Sequence, residues 1–239
     1  MKRNQLSRIA LAFARETAKS PTARLCAACV EVLDVSGAAI TLMGGDQAGP
    51  ICVSDLSIAE LEDLQFTTGQ GPCRDAYRSG QSVHAPQLDE FAFVRWPPFV
   101  DLARSSGIAA VFAYPLVASS GNVGVLTLYQ QAEGELNSSQ HEDSLAIARV
   151  LTETVLSLQE GAPAGVLAPE LDVAVGYRAE IYQASGMVAV QLQVHPSEAL
   201  VRIRGHAFAH DIPVGVVAAD IVARRLRLPD DRPAATEME

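Results

Sequence analysis

The sequence is most informative at Gly69-Gln70-Gly71-Pro72-Cys73-Arg74-Asp75-Ala76-Tyr77, where glycines and a proline precede a helical pattern. Proline lacks a backbone N–H and has its φ fixed near the helical value, so it is favoured in the first turn of a helix. Glycine often follows the last residue of a helix, because it readily adopts the left-handed conformation. The stretch therefore predicts a short helix that starts near Pro72 and ends at Gly80.

On both sides of this helix the sequence has the pattern of an antiparallel sheet. Before it, the apolar run of residues 37–43 is followed by Gly44-Gly45-Asp46 and by residues 50–55, which together are typical of a β-hairpin. Three more strands are predicted after it, at residues 81–85, 109–117 and 123–129. The turn residues 119–122 join the last two of them.

Helices with an apolar face are predicted around these strands. Ser57 and Glu60 have the spacing of a capping box, which predicts that a helix begins there and runs through Leu64. Others are predicted at residues 6–13, at residues 25–33, from Pro98 to Arg104 and at residues 139–159. Helices outside an antiparallel sheet indicate an α+β domain.

The last quarter of the chain has a purely helical pattern. It follows the linker-like residues 160–165, which are rich in glycine, alanine and proline. Apolar residues then recur at steps of three and four along one face, at Val173, Tyr177, Ile181, Ala184, Val188 and Leu192. Pro196 and Pro213 each begin a further predicted helix. Three helices in so short a segment form a small bundle, which often gains stability by dimerising.

Composition and charge exclude several classes of protein. The chain has 239 residues, 49% of them hydrophobic, and a net charge of −10, which argues against a protein that binds polyanions over its whole surface. The charge is uneven, however: residues 170–229 carry six arginines and six acidic residues, whereas residues 230–239 are strongly acidic. With no apolar run of membrane-spanning length and no signal-peptide pattern, we expect a cytoplasmic protein that begins at Met1 and does not contact a membrane.

The order of these motifs resembles two known domains. Residues 69–77, with residues 107–117 and 124–129, resemble a GAF domain, the sensory fold of many bacterial regulators; the resemblance covers about residues 5–159. Residues 181–192, 198–207 and 213–222 resemble an ANTAR domain, the three-helix RNA-binding module of transcription antiterminators. Together they look like the GAF–ANTAR regulators of actinobacteria.

The resemblance implies an α+β, GAF-like antiparallel sheet with flanking helices, followed by a small all-α, three-helix ANTAR-like bundle. The implied domains are a sensor at residues 1–159, a linker at 160–169, an RNA-binding domain at 170–228 and an acidic tail at 229–239. It also implies a non-enzymatic, signal-responsive homodimer that binds paired stem–loops in nascent transcripts and prevents a terminator hairpin. The helix at 139–159 would carry a change of dimer geometry to the RNA-binding domain. No cofactor is implied.

Residues of the last three predicted helices are candidates for RNA contact, because arginine pairs with phosphate and stacks on bases while polar side chains contact base edges. The candidates are Gln183, Ser185, Gly186, Arg202, Arg204, His206 and Arg224, the last in a cluster with Arg225 and Arg227. Ser185 stands where many ANTAR domains have lysine. As alternatives, the arginine cluster complements a helix dipole, His206 is an ordinary surface residue and Gly186 serves helix packing.

A sensor pocket is expected between the sheet and its covering helices, where a small-molecule ligand of unknown identity would bind. Its candidate lining residues are Cys73, Phe93, Trp96, Phe112 and Tyr114. The same aromatic residues could instead form a simple core.

The cysteines and histidines leave two further hypotheses. Cys73 follows the predicted helix start, where the helix dipole would lower its pKa, so Cys52 and Cys73 support a GAF-fold thiol reductase as an alternative. Cys26 and Cys29 form a C-x-x-C pair without a second pair or a nearby histidine, which makes buried, metal-free cysteines the default. The five histidines have no metal-site spacing, and no P-loop or dinucleotide motif is present.

A DNA-binding helix-turn-helix is the other alternative. The second and third predicted helices of the last segment could form one, but the third has no Asn, Gln or Lys to contact base edges before Arg224.

Overall fold

The chain forms two compact units that divide between Val175 and Gly176. The computed structural model describes residues 25–43, 49–160, 168, 176–210, 212 and 214–229. The helix predicted at residues 6–13, the glycine turn at 44–46, most of the linker and of the acidic tail, and Pro213 lie outside the described residues.

Unit 1 is an α+β unit built on one antiparallel sheet. Its strands are β1 (Gly37–Leu42), β2 (Gly49–Val53), β3 (Val83–Ala85), β4 (Ala110–Ala118) and β5 (Gly121–Gln130), in the order β2-β1-β5-β4-β3. Its described helices are α1 (Leu25–Leu33), α2 (Leu56–Thr68), α3 (Pro72–Ser79), α4 (Glu90–Arg95), α5 (Pro97–Ser105) and α6 (Ser138–Gln159). The predicted antiparallel α+β fold is confirmed.

The helix predicted from the opening stretch is present. Pro72 is the first residue of α3, and Gly80 ends the helix with φ 65°, in the left-handed region. The predicted start of α2 is wrong by two residues. Asp55 rather than Ser57 is the cap, because its carboxylate accepts hydrogen bonds from the backbone N–H of Ile58 and from the Ser57 hydroxyl.

The sheet separates two hydrophobic cores. One lies against α1 and α6 and includes Leu33, Phe112 and Leu151. The other lies against α2, α3, α4 and α5 and includes Leu61 and Phe99. Because successive side chains of a strand point to opposite faces, each of the long strands β4 and β5 contributes to both cores.

Unit 2 contains three described helices, α7 (Gly176–Leu192), α8 (Pro196–Ala209) and α9 (Val214–Val222), which pack against each other. The apolar face predicted for α7 is buried from Ile181 to Leu192. It meets Ile203 of α8 and Val217 of α9, which are also fully buried. None of the described helices of either unit is long and apolar enough to span a bilayer.

Candidate functional site

The five predicted sensor-pocket residues are not brought together. Cys73 and Trp96 belong to the core under α3, whereas Phe112 and Tyr114 point to the opposite face, toward α1 and α6. The prediction that they line one pocket is therefore wrong, since only Val111 and Ala113 of that stretch of β4 face the α3 side. Phe93, on α4, is 37% exposed.

The face under α2 and α3 instead contains a buried polar network centred on Glu62. This α2 residue is 2% exposed, and its carboxylate accepts hydrogen bonds from three side chains. The Thr41 hydroxyl and the Tyr129 hydroxyl each donate at 2.6 Å, and the Gln65 amide donates at 3.1 Å. A buried carboxylate is tolerated only when such partners replace its water. The network thus joins α2 to strands β1 and β5.

Gln65 extends this network to the start of α3. Its amide oxygen accepts a hydrogen bond of 2.8 Å from the backbone N–H of Cys73. Cys73 itself is 1% exposed, and burial together with the neighbouring charge of Glu62 raises its pKa well above 9.0. The prediction of a lowered Cys73 pKa is wrong, because desolvation of the thiolate outweighs the dipole of the short helix α3.

The other cysteines also differ from the sequence-based hypotheses. Cys26 and Cys52 form a disulfide with an S–S distance of 2.04 Å, so Cys52 has no free thiol. Cys29 is a buried thiol, and desolvation raises its pKa to about 12. In the part of the chain that the structure describes, no three His, Cys, Asp or Glu residues could hold a metal ion together.

An imidazole cluster that was not predicted from the sequence lies beside the first turn of α6. The Tyr114 hydroxyl and His141 Nδ1 are 3.0 Å apart, and the ring of His84 on β3 contacts both residues and Phe112. Burial and the neighbouring His141 lower the pKa of His84 below 6.5, whereas Glu135 acts in the opposite direction. The signal in the sequence was the alternation of apolar and polar residues along β3, whose central residue is His84.

We expect His84 to make unit 1 less stable in acid. Because its pKa is lowered on folding, the stabilisation that depends on neutral His84 is complete above pH 6.5 and is lost as the pH falls through the folded-state pKa. The thermal midpoint of unit 1 should therefore decrease as the pH is lowered from about 7 to 5 in the native chain. The decrease should be smaller in His84→Gln. Equal pH slopes in the two proteins, measured by calorimetry, would contradict this.

In unit 2, three of the predicted RNA-contact residues line one groove of about 710 Å³. These are Gln183, Gly186 and Arg224; the groove is completed by Met187, Val190, Gln191, Ile221, Leu226 and Arg227. A Cβ atom added at Gly186 would meet no atom within 4 Å. Within the described chain, Gly186 therefore opens the groove and is not explained by contact with a neighbouring helix.

The wall of the groove forms where the chain turns back after α9. Arg224 has a left-handed φ of 58°, and its N–H donates to Ile221 O, so the helix ends there. The Gln191 amide then donates to Leu228 O at 2.6 Å, which holds the returning segment beside α7. This turn presents Arg224 and Arg227 as exposed side chains beside an apolar floor.

The remaining predicted RNA-contact residues lie elsewhere in unit 2. Ser185 is 4% exposed and donates to Pro196 O at 2.9 Å, so its side chain joins α7 to α8 and does not face solvent. Arg202 forms an ion pair with Glu198 at 3.0 Å. His206 stacks on His210 with ring centres 4.1 Å apart, and Arg204 is half-buried on the same helix.

Comparison with known proteins assigns the family. A family model described as GAF domain matches residues 22–157, which is more than half of the chain. The chain belongs to the GAF domain family. Unit 1 is accordingly a GAF sensor domain of the signalling type. A comparison with the curated proteins finds no match.

One solved structure with a TM-score above 0.5 supports the fold of this GAF domain, and two others are more distantly similar. The GAF domain of a phosphoenolpyruvate-protein phosphotransferase from Acinetobacter is 10% identical, with a TM-score of 0.52, over 69% of this chain and 98% of that one. The corresponding domain from Coxiella burnetii is also 10% identical, with a TM-score of 0.49, over 65% and 95% of the two chains. The chromophore-binding domain of a bacteriophytochrome from R. palustris is 11% identical, with a TM-score of 0.43, over 68% and 63%.

Proposed function

We propose that this GAF protein is a signal-responsive, RNA-binding antitermination regulator, in which the sensor domain controls the dimer geometry of an ANTAR-like unit 2. Its partners would be stem–loops in nascent transcripts, a second copy of the chain and an unidentified small-molecule signal, in the cytoplasm. The resemblance of residues 181–192, 198–207 and 213–222 to ANTAR domains supports this proposal.

The groove of unit 2 is the observation that carries the proposal. Unpaired bases of an RNA loop bind by stacking and by hydrogen bonds to their edges, while cations hold the adjacent phosphates. The groove offers an apolar floor at Met187 and Ile221, the polar amide of Gln183, and two exposed arginines, Arg224 and Arg227. Arginine suits this position because its planar guanidinium pairs with phosphate and also stacks on bases.

The two alternative functions fit the geometry less well. A DNA-reading helix needs polar side chains on an exposed face, but α9 exposes Val216 and has Asp220 as its one charged residue. A thiol reductase needs a reactive thiolate, but Cys73 is buried with a raised pKa and Cys52 is bonded to Cys26.

Coupling between the domains would work as a population shift. The signal must bind more tightly to one arrangement of the dimer than to the other, since a ligand with equal affinity for both shifts nothing. In chain order, α6 is the last described helix of unit 1 before unit 2 and is the candidate to carry the change.

The test measures binding of the full chain to an RNA with two adjacent stem–loops and to duplex DNA, across a salt series. We expect preferential RNA binding that weakens with salt, and a loss of about tenfold or more in R224A/R227A with a shallower salt slope. Arg78→Ala is the matched control, because Arg78 is an exposed arginine of the other unit. Unchanged RNA affinity in the double variant, or preferential binding to duplex DNA, would overturn the proposal.

A further inference from the structure

We propose that the Cys26–Cys52 disulfide is a redox switch, whose reduction changes how α6 packs on the GAF domain. The proposal rests on the proposed function and deepens it, because it adds a redox signal, beside the small-molecule one, to which RNA binding would respond. In the cytoplasm, where an antiterminator must act, disulfides are rare, and those that form are usually transient and redox-sensing or catalytic.

The disulfide fixes one of the two edge strands of the described sheet. β2 lies at the edge and pairs only with β1, and their register is irregular between Ile40 and Thr41. The disulfide provides a covalent link from this edge strand to α1, across 26 residues of chain. After reduction, β2 would be held in place by its pairing with β1 and by noncovalent packing, without a covalent cross-link to α1.

The same disulfide lies in the core that holds α6. Cys26 and Cys52 belong to one buried cluster with Ile147, Leu151 and Val155 of that helix. α6 packs directly against α1, the helix that carries Cys26. Two thiols need more separation than two bonded sulfur atoms, so reduction must shift side chains in this close-packed core. A shift there changes the surface on which α6 rests.

The burial of the three nearby sulfur atoms defines the chemistry. Cys52 is the more exposed residue of the pair, at 7% against 0% for Cys26, and the proposal assigns the first attack to its sulfur. Cys29 lies one turn beyond Cys26, and its pKa of about 12 keeps it a neutral thiol that does not attack the disulfide.

The step requires a cellular dithiol reductant. Its thiolate attacks Cys52 Sγ, forms a mixed disulfide and expels the Cys26 thiolate, which takes up a proton. The second thiol of the reductant then attacks the mixed disulfide, so that the reductant becomes a disulfide and Cys52 leaves as a thiolate that is protonated in turn. The protein gains two electrons and two protons, and the dithiol loses them.

The first experiment tests the switch on the full chain without using RNA. Alkylation under denaturing conditions followed by mass spectrometry should find two free thiols, Cys29 and Cys73, in the oxidised protein, and all four cysteines after dithiothreitol treatment. Hydrogen exchange of α6 should be faster in the reduced protein. Four free thiols in protein treated with a mild oxidant, or identical exchange of α6 in the two states, would overturn the proposal.

Variants separate the switch from general damage to the core. Cys52→Ser should show the reduced-state exchange of α6 with and without dithiothreitol, whereas Cys29→Ser should respond to dithiothreitol as the native chain does. If Cys52→Ser does not fold, a titration of the native chain with dithiothreitol tests the switch instead. In that titration the hydrogen exchange of α6 must become faster in parallel with the appearance of the Cys26 and Cys52 thiols. A Cys29→Ser protein that no longer responds would overturn the assignment.

The second experiment measures RNA affinity in the two redox states, where we expect a difference of about tenfold. RNA binding that is equal in both states would overturn the coupling while leaving the proposed function intact. If the hydrogen exchange of α6 depends on redox state but the chain binds no RNA, the proposed function would be overturned while the redox switch would still hold.

Discussion

Replacing Glu62 with alanine is expected to lower the free energy of unfolding of the GAF domain by about 3 kcal/mol or more. The substitution removes the acceptor of three hydrogen bonds and leaves the hydroxyls of Thr41 and Tyr129 without that acceptor in the core. Each buried donor that loses its partner costs about 1–3 kcal/mol, and the vacated volume adds to this. Chemical denaturation followed by circular dichroism measures the loss.

Glu60→Ala is the matched control, because Glu60 is an exposed glutamate on the same helix. Its effect should be within about 0.5 kcal/mol of zero. Tyr129→Phe should fall between the two, since it removes one donor and leaves the other two on the carboxylate. If Glu62→Ala were no more destabilising than Glu60→Ala, the network would not stabilise the fold.

Local signals in the sequence were enough to predict most elements of the GAF domain. Pro72 and Gly80 define α3 because backbone conformation at those positions depends on the residue itself. The strands β4 and β5 could be predicted for a similar reason, since two apolar, β-branched runs are joined by a short polar turn. Asp89, which caps the short helix α4 through the backbone N–H of Ala92, carries a comparable local signal.

The network around Glu62 could not be predicted in this way. A glutamate in an amphipathic helix normally belongs to its solvent face, and the partners that allow its burial, Thr41 and Tyr129, are 21 and 67 residues away. The disulfide is a similar case, because four cysteines allow several pairings and only the packing of α1 beside β2 selects Cys26 with Cys52.

The predicted sensor pocket failed for a different reason. A pocket between the sheet and its covering helices was expected to include Phe112 and Tyr114, but strand alternation places them on the face opposite Val111 and Ala113. In unit 2, the sequence indicated Gln183, Gly186 and the arginine cluster, but it did not show which arginines line the groove, because their positions depend on the turn that follows α9. Helix periodicity does not extend beyond the end of a helix, so it could not predict the direction in which the side chains of this turn point.

Gly71→Ala is the second substitution with a large expected effect, a loss of about 2–4 kcal/mol in the free energy of unfolding. Gly71 caps α3 with φ 135° and ψ 167°, a conformation open almost only to glycine. An added Cβ would also lie within 2.7 Å of Gln65 Cδ, and closer still to its amide oxygen. Gln65 cannot move away freely, because it is 1% exposed and its side-chain amide is hydrogen-bonded to the Glu62 carboxylate and to the backbone N–H of Cys73.

Gly69→Ala is the reference substitution at a glycine of the same stretch. Gly69 also has a positive φ, 67°, but a Cβ there would meet nothing within 4 Å, so only the conformational cost of about 1 kcal/mol applies. We therefore expect Gly71→Ala to be clearly more destabilising than Gly69→Ala in the same denaturation experiment. Equal losses would contradict both the backbone restriction at Gly71 and its contact with Gln65. A larger loss at Gly71 is expected from two sources that act together: the backbone conformation of Gly71, and its close contact with Gln65, which is hydrogen-bonded to the buried carboxylate on α2.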